Sequence, residues 1–236
     1  MTSHAVASRE EWLAARLELL EQEKDLNRRR DELAAARRQL PWVATDKDYA
    51  FNGPHGSRSL PELFDGRSQL LVYHFMFGPD WDEGCPSCSF WADSFDGVAT
   101  HLAHRDVTLV CVSHAPYSKL AAYQQRMGWG FAWYSSSPSD FNVDFAVSFT
   151  AEQQRDGATY NFRHMEHPPD EAPGISAFAR DEDRVFHTYS SYSRGLDPIN
   201  SGYQLLDLAP HGRDEGDLEW PMAWLRGHDA YEDGSA

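Results

Sequence analysis

This sequence lacks most of what would commit it to a familiar functional class. Cysteine is scarce: there are three in 236 residues, Cys85, Cys88 and Cys111. A secreted disulfide scaffold carries more, usually in even number. Basic residues are in deficit, with 21 Lys and Arg against 37 Asp and Glu and a formal net charge of −16. No basic stripe relieves that balance, so neither nucleic acid nor an anionic membrane surface is an expected partner. No run of 18 apolar residues is present to span a bilayer. The opening MTSHAVASREEW has no apolar h-region and no cleavage site. These features together lead us to expect a reducing, cytoplasmic setting. Also missing are a phosphate loop, GxGxxG and GxSxG. The PxxxTxxC pattern of peroxide-reducing thiols fails too, because Gly78 and Trp81 stand where its proline would precede Cys85 or Cys88. There is no internal repeat and no low-complexity stretch.

What the chain does have is a core. Hydrophobic residues make up 41% of it and aromatic residues 13%. Residues 1–40 read as a helical arm. Ser8 and Glu11 fit a capping box, and helix formers run from there to Pro41. Trp12, Leu19, Leu26, Leu33 and Leu40 recur every seven residues, but the second column holds Gln22 and Arg29. A free-standing coiled coil needs both columns. The arm is therefore read as packing on its own domain or, in a homodimer, on a partner subunit. Residues 41–236 form the second region. It opens with loop and short extended pieces rich in Pro and Gly.

An alternation follows. QLLVYHFMF (69–77) is a strand buried on both faces. After Cys88, residues Trp91, Phe95, Val98 and Leu102 mark one face of a helix. VTLVCVS (107–113) is a second buried strand. Residues 116–127 are helical, with Leu120, Tyr123 and Met127 inward and Gly128 at C′. Residues 131–135 make a third strand. Strand, helix, strand, helix, strand implies an α/β fold with parallel pairing and right-handed crossovers. Later, residues 175–180 and 184–189 flank Asp181-Glu182-Asp183 as an antiparallel hairpin.

The chemistry is expected at Cys85-Pro86-Ser87-Cys88, which lies beyond a buried strand at the start of a helix. Free amides and the helix dipole there favour an anion, so a thiolate is stabilised. The two-residue spacing lets the second thiol close a disulfide. A CxxC beside a βαβ pattern is the signature of a thioredoxin-like redox site. Cys85 is read as the nucleophile and Cys88 as the resolving thiol. Asp80, Asp82 and Glu83 oppose the thiolate if they face it. Cys111 reads as core. No bound cofactor is needed, and the substrate is a thiol or disulfide, on a protein or a small molecule. Two alternatives stand beside this. A transition metal such as zinc or copper could sit on Cys85, Cys88 and His74, the last on the strand that delivers the loop. Or the chain could be a non-catalytic interaction domain that works through its N-terminal helix.

Six segments carry a family resemblance: LPWVATDKDYAF (40–51), DGRSQLLVYHFMFGPDWDEGCPSCSFWAD (65–93), MGWGFAWYSS (127–136), SDFNVDFAVSFT (139–150), VFHTYSSYSRGLD (185–197) and GRDEGDLEWPMAW (212–224). They resemble the bacterial family known as domain of unknown function 899. The resemblance spans nearly the whole chain. It implies a thioredoxin-like, peroxiredoxin-like three-layer sandwich with a central mixed sheet and a long N-terminal helix. It also implies dithiol-disulfide oxidoreductase chemistry at Cys85 and Cys88, with His74, Asp80 and Trp81 flanking. Thioredoxins place a cis-proline before the strand facing the disulfide. Here Ser176 is expected at that site, and Pro173, the available proline, comes three positions earlier.

Overall fold

The computed structural model describes residues 5–231. The chain divides after Pro41 into two compact units. The first is helix α1, Arg9–Arg37. Its start is the expected capping box: the Glu11 amide donates to Ser8 Oγ at 3.2 Å, and the Ser8 amide donates to Glu11 Oε2 at 2.8 Å. The helix stops short of Pro41. Gln39 and Leu40 donate instead to carbonyls three residues back, since a residue before proline disfavours α geometry. No residue of α1 is buried. The seven-residue column from Trp12 to Leu40 stays about half exposed, at 45–52%. Pairs within the helix, Arg16–Glu23 and Lys24–Glu21 among them, add modest support.

In the second unit the strands are β1 (Val43–Ala44), β2 (Ala50–Gly53), β3 (Gly56–Ser59), β4 (Gln69–His74), β5 (Val107–Ser113), β6 (Ala132–Ser135), β7 (Ala158–Tyr160), β8 (Arg163–Met165), β9 (Gly174–Asp181) and β10 (Arg184–Tyr192). Eight of them form one sheet in the order β1-β10-β9-β4-β5-β6-β2-β3, and β7 and β8 pair separately. β4, β5 and β6 are parallel, while β9 joins β4 antiparallel and continues into β10. The parallel strands are joined through α2 (Pro86–Ala92), α3 (Phe95–Ala103) and α4 (Tyr117–Met127). A parallel strand pair whose crossover begins at the cysteine motif, with an antiparallel hairpin on the far side, is the expected thioredoxin-like α/β arrangement. Among the described residues no helix is long and apolar enough to cross a membrane.

Alternation along β4 and β5 divides the core between two faces. Leu71, Tyr73, Leu109 and Cys111 pack with Trp91, Phe95, Leu120 and Tyr123 beneath α2, α3 and α4. Leu70, Val72, Val110 and Val112 pack on the other face with Leu63, Phe64, Phe141 and Phe178. That second layer is built from short pieces, the 3₁₀ turn Pro61–Phe64 and α5 (Phe141–Asp144).

One expectation needs correction. The helix after Cys88 is two helices, α2 and α3, parted at Asp93 and Ser94. Ser94 Oγ caps back onto the Trp91 carbonyl, and the Asp93 carboxylate accepts from Trp129 Nε1 and His228 Nδ1. Trp91 on α2 and Phe95 on α3 are buried, while Val98 on α3 is 46% exposed. Residues 136–172 hold α5, α6 (Ala151–Asp156) and the β7–β8 hairpin. That hairpin turns on Asn161 and Phe162 at φ 49° and 61°. Phenylalanine is not a residue that announces such a turn. After β10 come a 3₁₀ segment, Ser193–Ile199, and α7 (Ser201–Leu206).

Candidate thiol site

Beyond β4 the chain keeps its sheet direction for a few residues, then folds back. The Phe75 amide donates to the Val112 carbonyl at 2.9 Å, and the Cys85 amide returns to the Met76 carbonyl at 3.0 Å. The return needs glycine at 84, because a Cβ there would lie 2.8 Å from the Phe75 ring and 3.0 Å from that of Tyr123. Cys85 is the N-cap of α2 and Pro86 its first residue, where the missing N–H costs nothing. The Cys85 carbonyl accepts from the Ser89 amide and from Ser89 Oγ, each at 3.0 Å. Cys88 lies one turn in and is buried, its sulfur accepting from the Met76 amide at 3.4 Å.

Cys85 and Cys88 both line one cleft of about 280 Å³. Its apolar walls come from Tyr73, Met76, Trp91, Pro173, Leu196 and Met222; Ser87, Ser193, Arg194 and Asp197 also line it. The two thiols differ in acidity. Hydrogen bonding from the Cys88 thiol brings Cys85 down to about 7, helped by the Cys88 and Ser87 amides and the Ser87 hydroxyl, against the opposing effect of burial. Burial pushes Cys88 up, as does donating to its neighbour, while hydrogen bonds from Tyr73 and Met76 act the other way. Cys85 is thus the more acidic thiol, beside a partner that keeps its proton. Glu83, among the acids before Cys85, is held by Arg126 at 2.6 Å, and Asp80 and Asp82 are exposed. The remaining thiol, Cys111, is fully buried in β5, as expected of a core residue.

The other flanking residues lie elsewhere. Trp81 Nε1 donates to Asp170 Oδ2 at 2.6 Å, and neither Trp81 nor Asp80 lines the cleft. His74 follows Tyr73 on β4, so its side chain takes the opposite face. There it stacks on Phe145 at 5.8 Å and its Nε2 meets Ser176 Oγ at 2.8 Å. A three-ligand set of His74, Cys85 and Cys88 is therefore not assembled, since the sheet stands between the imidazole and the thiols. Among the described residues no group of three or more His, Cys, Asp or Glu gathers to hold a metal.

Ser176 does not take the proline site. It pairs in register with Val72 and joins a buried chain, Ser176 Oγ to Ser190 Oγ at 2.8 Å and Ser190 Oγ to His187 Nε2 at 2.7 Å. Pro173, immediately before β9, is the residue of this stretch that lines the cleft with the thiols, and the described residues contain no cis peptide bond. Register decides this: His74 pairs with Gly174, which puts residue 173 beside the end of β4. Of the cleft residues that sequence reasoning passed over, Tyr73 carried a signal, since it shares a face of β4 with Leu71. Leu196, Arg194, Asp197 and Met222 come from the distant C-terminal part and carried none.

A bacterial family of unknown function, DUF899, matches residues 1–231, and the chain belongs to it. A search of curated proteins found no match. Among solved structures, the peroxidoxin BcpB of Mycobacterium tuberculosis is similar at 14% identity and TM-score 0.45, over 69% of this chain and 94% of that one. The bacterioferritin comigratory protein of Xanthomonas campestris, described for alkyl peroxide reduction, is similar at 9% identity and TM-score 0.47, over 70% of this chain and 94% of that one.

Proposed function

We propose that this member of the DUF899 family is a dithiol-disulfide oxidoreductase working through Cys85 and Cys88. One observation carries the reading: two thiols of opposed acidity share a single cleft at a strand-to-helix junction. The Cys85 thiolate attacks one sulfur of a disulfide R–S–S–R. That bond breaks, the leaving thiolate takes a proton from water, and a mixed disulfide forms on Cys85. Cys88 then gives up its proton and attacks the Cys85 sulfur, releasing the second thiol and closing Cys85–Cys88. Two electrons pass from protein to substrate, and an external dithiol restores the reduced pair. Tyr73 and the Met76 amide donate to the Cys88 sulfur, which stabilises the charge it must carry while attacking. The exchange needs no bound cofactor.

Replacing Cys85 with Ser is expected to abolish disulfide reduction. Cys88→Ala is expected to arrest the reaction at the mixed disulfide, seen by mass spectrometry as a substrate adduct on Cys85. Unchanged reduction by the Cys85 variant would end this reading.

A further inference from the structure

We infer that the substrate of this site, granted the exchange proposed above, is a small, uncharged, largely apolar disulfide and not one in a polypeptide. The first reason is size. A cleft of about 280 Å³ is at or just below the small end of ligand pockets. Two wall residues are tied to the fold through their main chain. The Leu196 carbonyl accepts from Trp91 Nε1 at 3.0 Å. The Met222 amide donates to Glu215 Oε1 at 3.0 Å, an oxygen that also accepts from Tyr203 and Trp224.

The second reason is the main chain. A site that grips an extended peptide does so largely by adding it to an exposed backbone edge, through free N–H and C=O groups. Here the edge leading into β9 is occupied by the chain itself. Phe149 donates to the Asp170 carbonyl at 2.9 Å and Ala172 donates to the Val147 carbonyl at 2.8 Å. Pro173 has no N–H, and its carbonyl accepts from the Tyr160 hydroxyl at 2.9 Å. A peptide threading past Cys85 would find these groups taken.

The third reason is charge. The two charged residues lining the cleft, Arg194 and Asp197, pair with each other at 2.9 Å, and Asp197 also meets Arg213 at 3.3 Å. Arg194 and Asp197 together leave the cleft lining with no net charge to draw a substrate carboxylate, on a chain of net charge −16 that repels anions at long range.

The test uses the full, pre-reduced chain and follows formation of the Cys85–Cys88 disulfide by quenched mass spectrometry. Three oxidants are compared: diethyl disulfide, its dianionic counterpart 3,3′-dithiodipropionate, and insulin. Each rate is divided by that probe's rate with free dithiothreitol. Diethyl disulfide is expected to lead both others by at least tenfold. Met222→Gln is expected to slow it about fivefold while iodoacetamide labelling of Cys85 is unchanged. Equal or faster oxidation by insulin or by the dianion overturns the substrate class and leaves dithiol exchange standing. If none of the three closes the disulfide, the exchange reading and this inference fall together.

Discussion

At the scale of single residues, two chemically identical side chains three positions apart are driven in opposite directions. Cys85 sits where amides and a thiol donor converge, and its acidity rises to about 7. Cys88 is buried and is the donor, so its proton is held. Alkylation of Cys85 by iodoacetamide is therefore expected to follow a titration with its midpoint near pH 7. Removing the donor with Cys88→Ala is expected to move that midpoint up toward the ordinary thiol range. A midpoint left in place by the alanine would show that Cys88 is not what lowers Cys85. CxxC alone announces the first of these effects, because helix starts favour anions. It does not announce the Tyr73 hydroxyl, which reaches the sulfur only because β4 alternates.

At the scale of elements, periodicity located each parallel strand and α4 but misjudged the region after the cysteines. Four apolar residues at helical spacing read as one face, whereas Asp93 is held by Trp129 and His228 and the helix breaks there. The consequence is measurable by denaturant unfolding. Val98→Glu is expected to change stability by less than about 0.5 kcal/mol, as an exposed position should. Phe95→Ala, in the core beneath α3, is expected to cost about 3–5 kcal/mol. Comparable losses at both sites would show that Val98 shares the buried face of α3 with Phe95.

At the scale of the whole molecule, the sheet separates two kinds of polar chemistry. The thiols lie on the helical face, and the buried chain His74–Ser176–Ser190–His187 lies on the other. Burial, with a smaller effect from His187, lowers His74 to about 3. Below the ordinary histidine value the unfolded chain takes up a proton that the folded protein refuses. The stability tied to His74 is thus intact above about pH 6.5 and lost as pH falls from there toward 3. Between pH 6.5 and 5, wild type is expected to lose about 1.1 kcal/mol per pH unit more than His74→Gln, the slope steepening toward about 1.4 as pH falls. Parallel urea-stability curves for the two proteins would show that His74 is not held neutral.

Local rules made part of this protein legible. Patterns of period two and 3.6, a capping box, a glycine after a helix and a CxxC after a buried strand are near-neighbour effects, and the chain states them directly. They led to the α/β order, the long first helix, the β9–β10 hairpin and the position of the two thiols. Which residues share the cleft was decided only in three dimensions. Pairing of His74 with Gly174 brought Pro173, and not Ser176, to the cleft of the thiols. Folding of the C-terminal part brought Leu196 and Met222 to the cleft wall. Register and long-range closure are set by the sum of many weak contacts between segments far apart in the chain, and no local pattern encodes that sum.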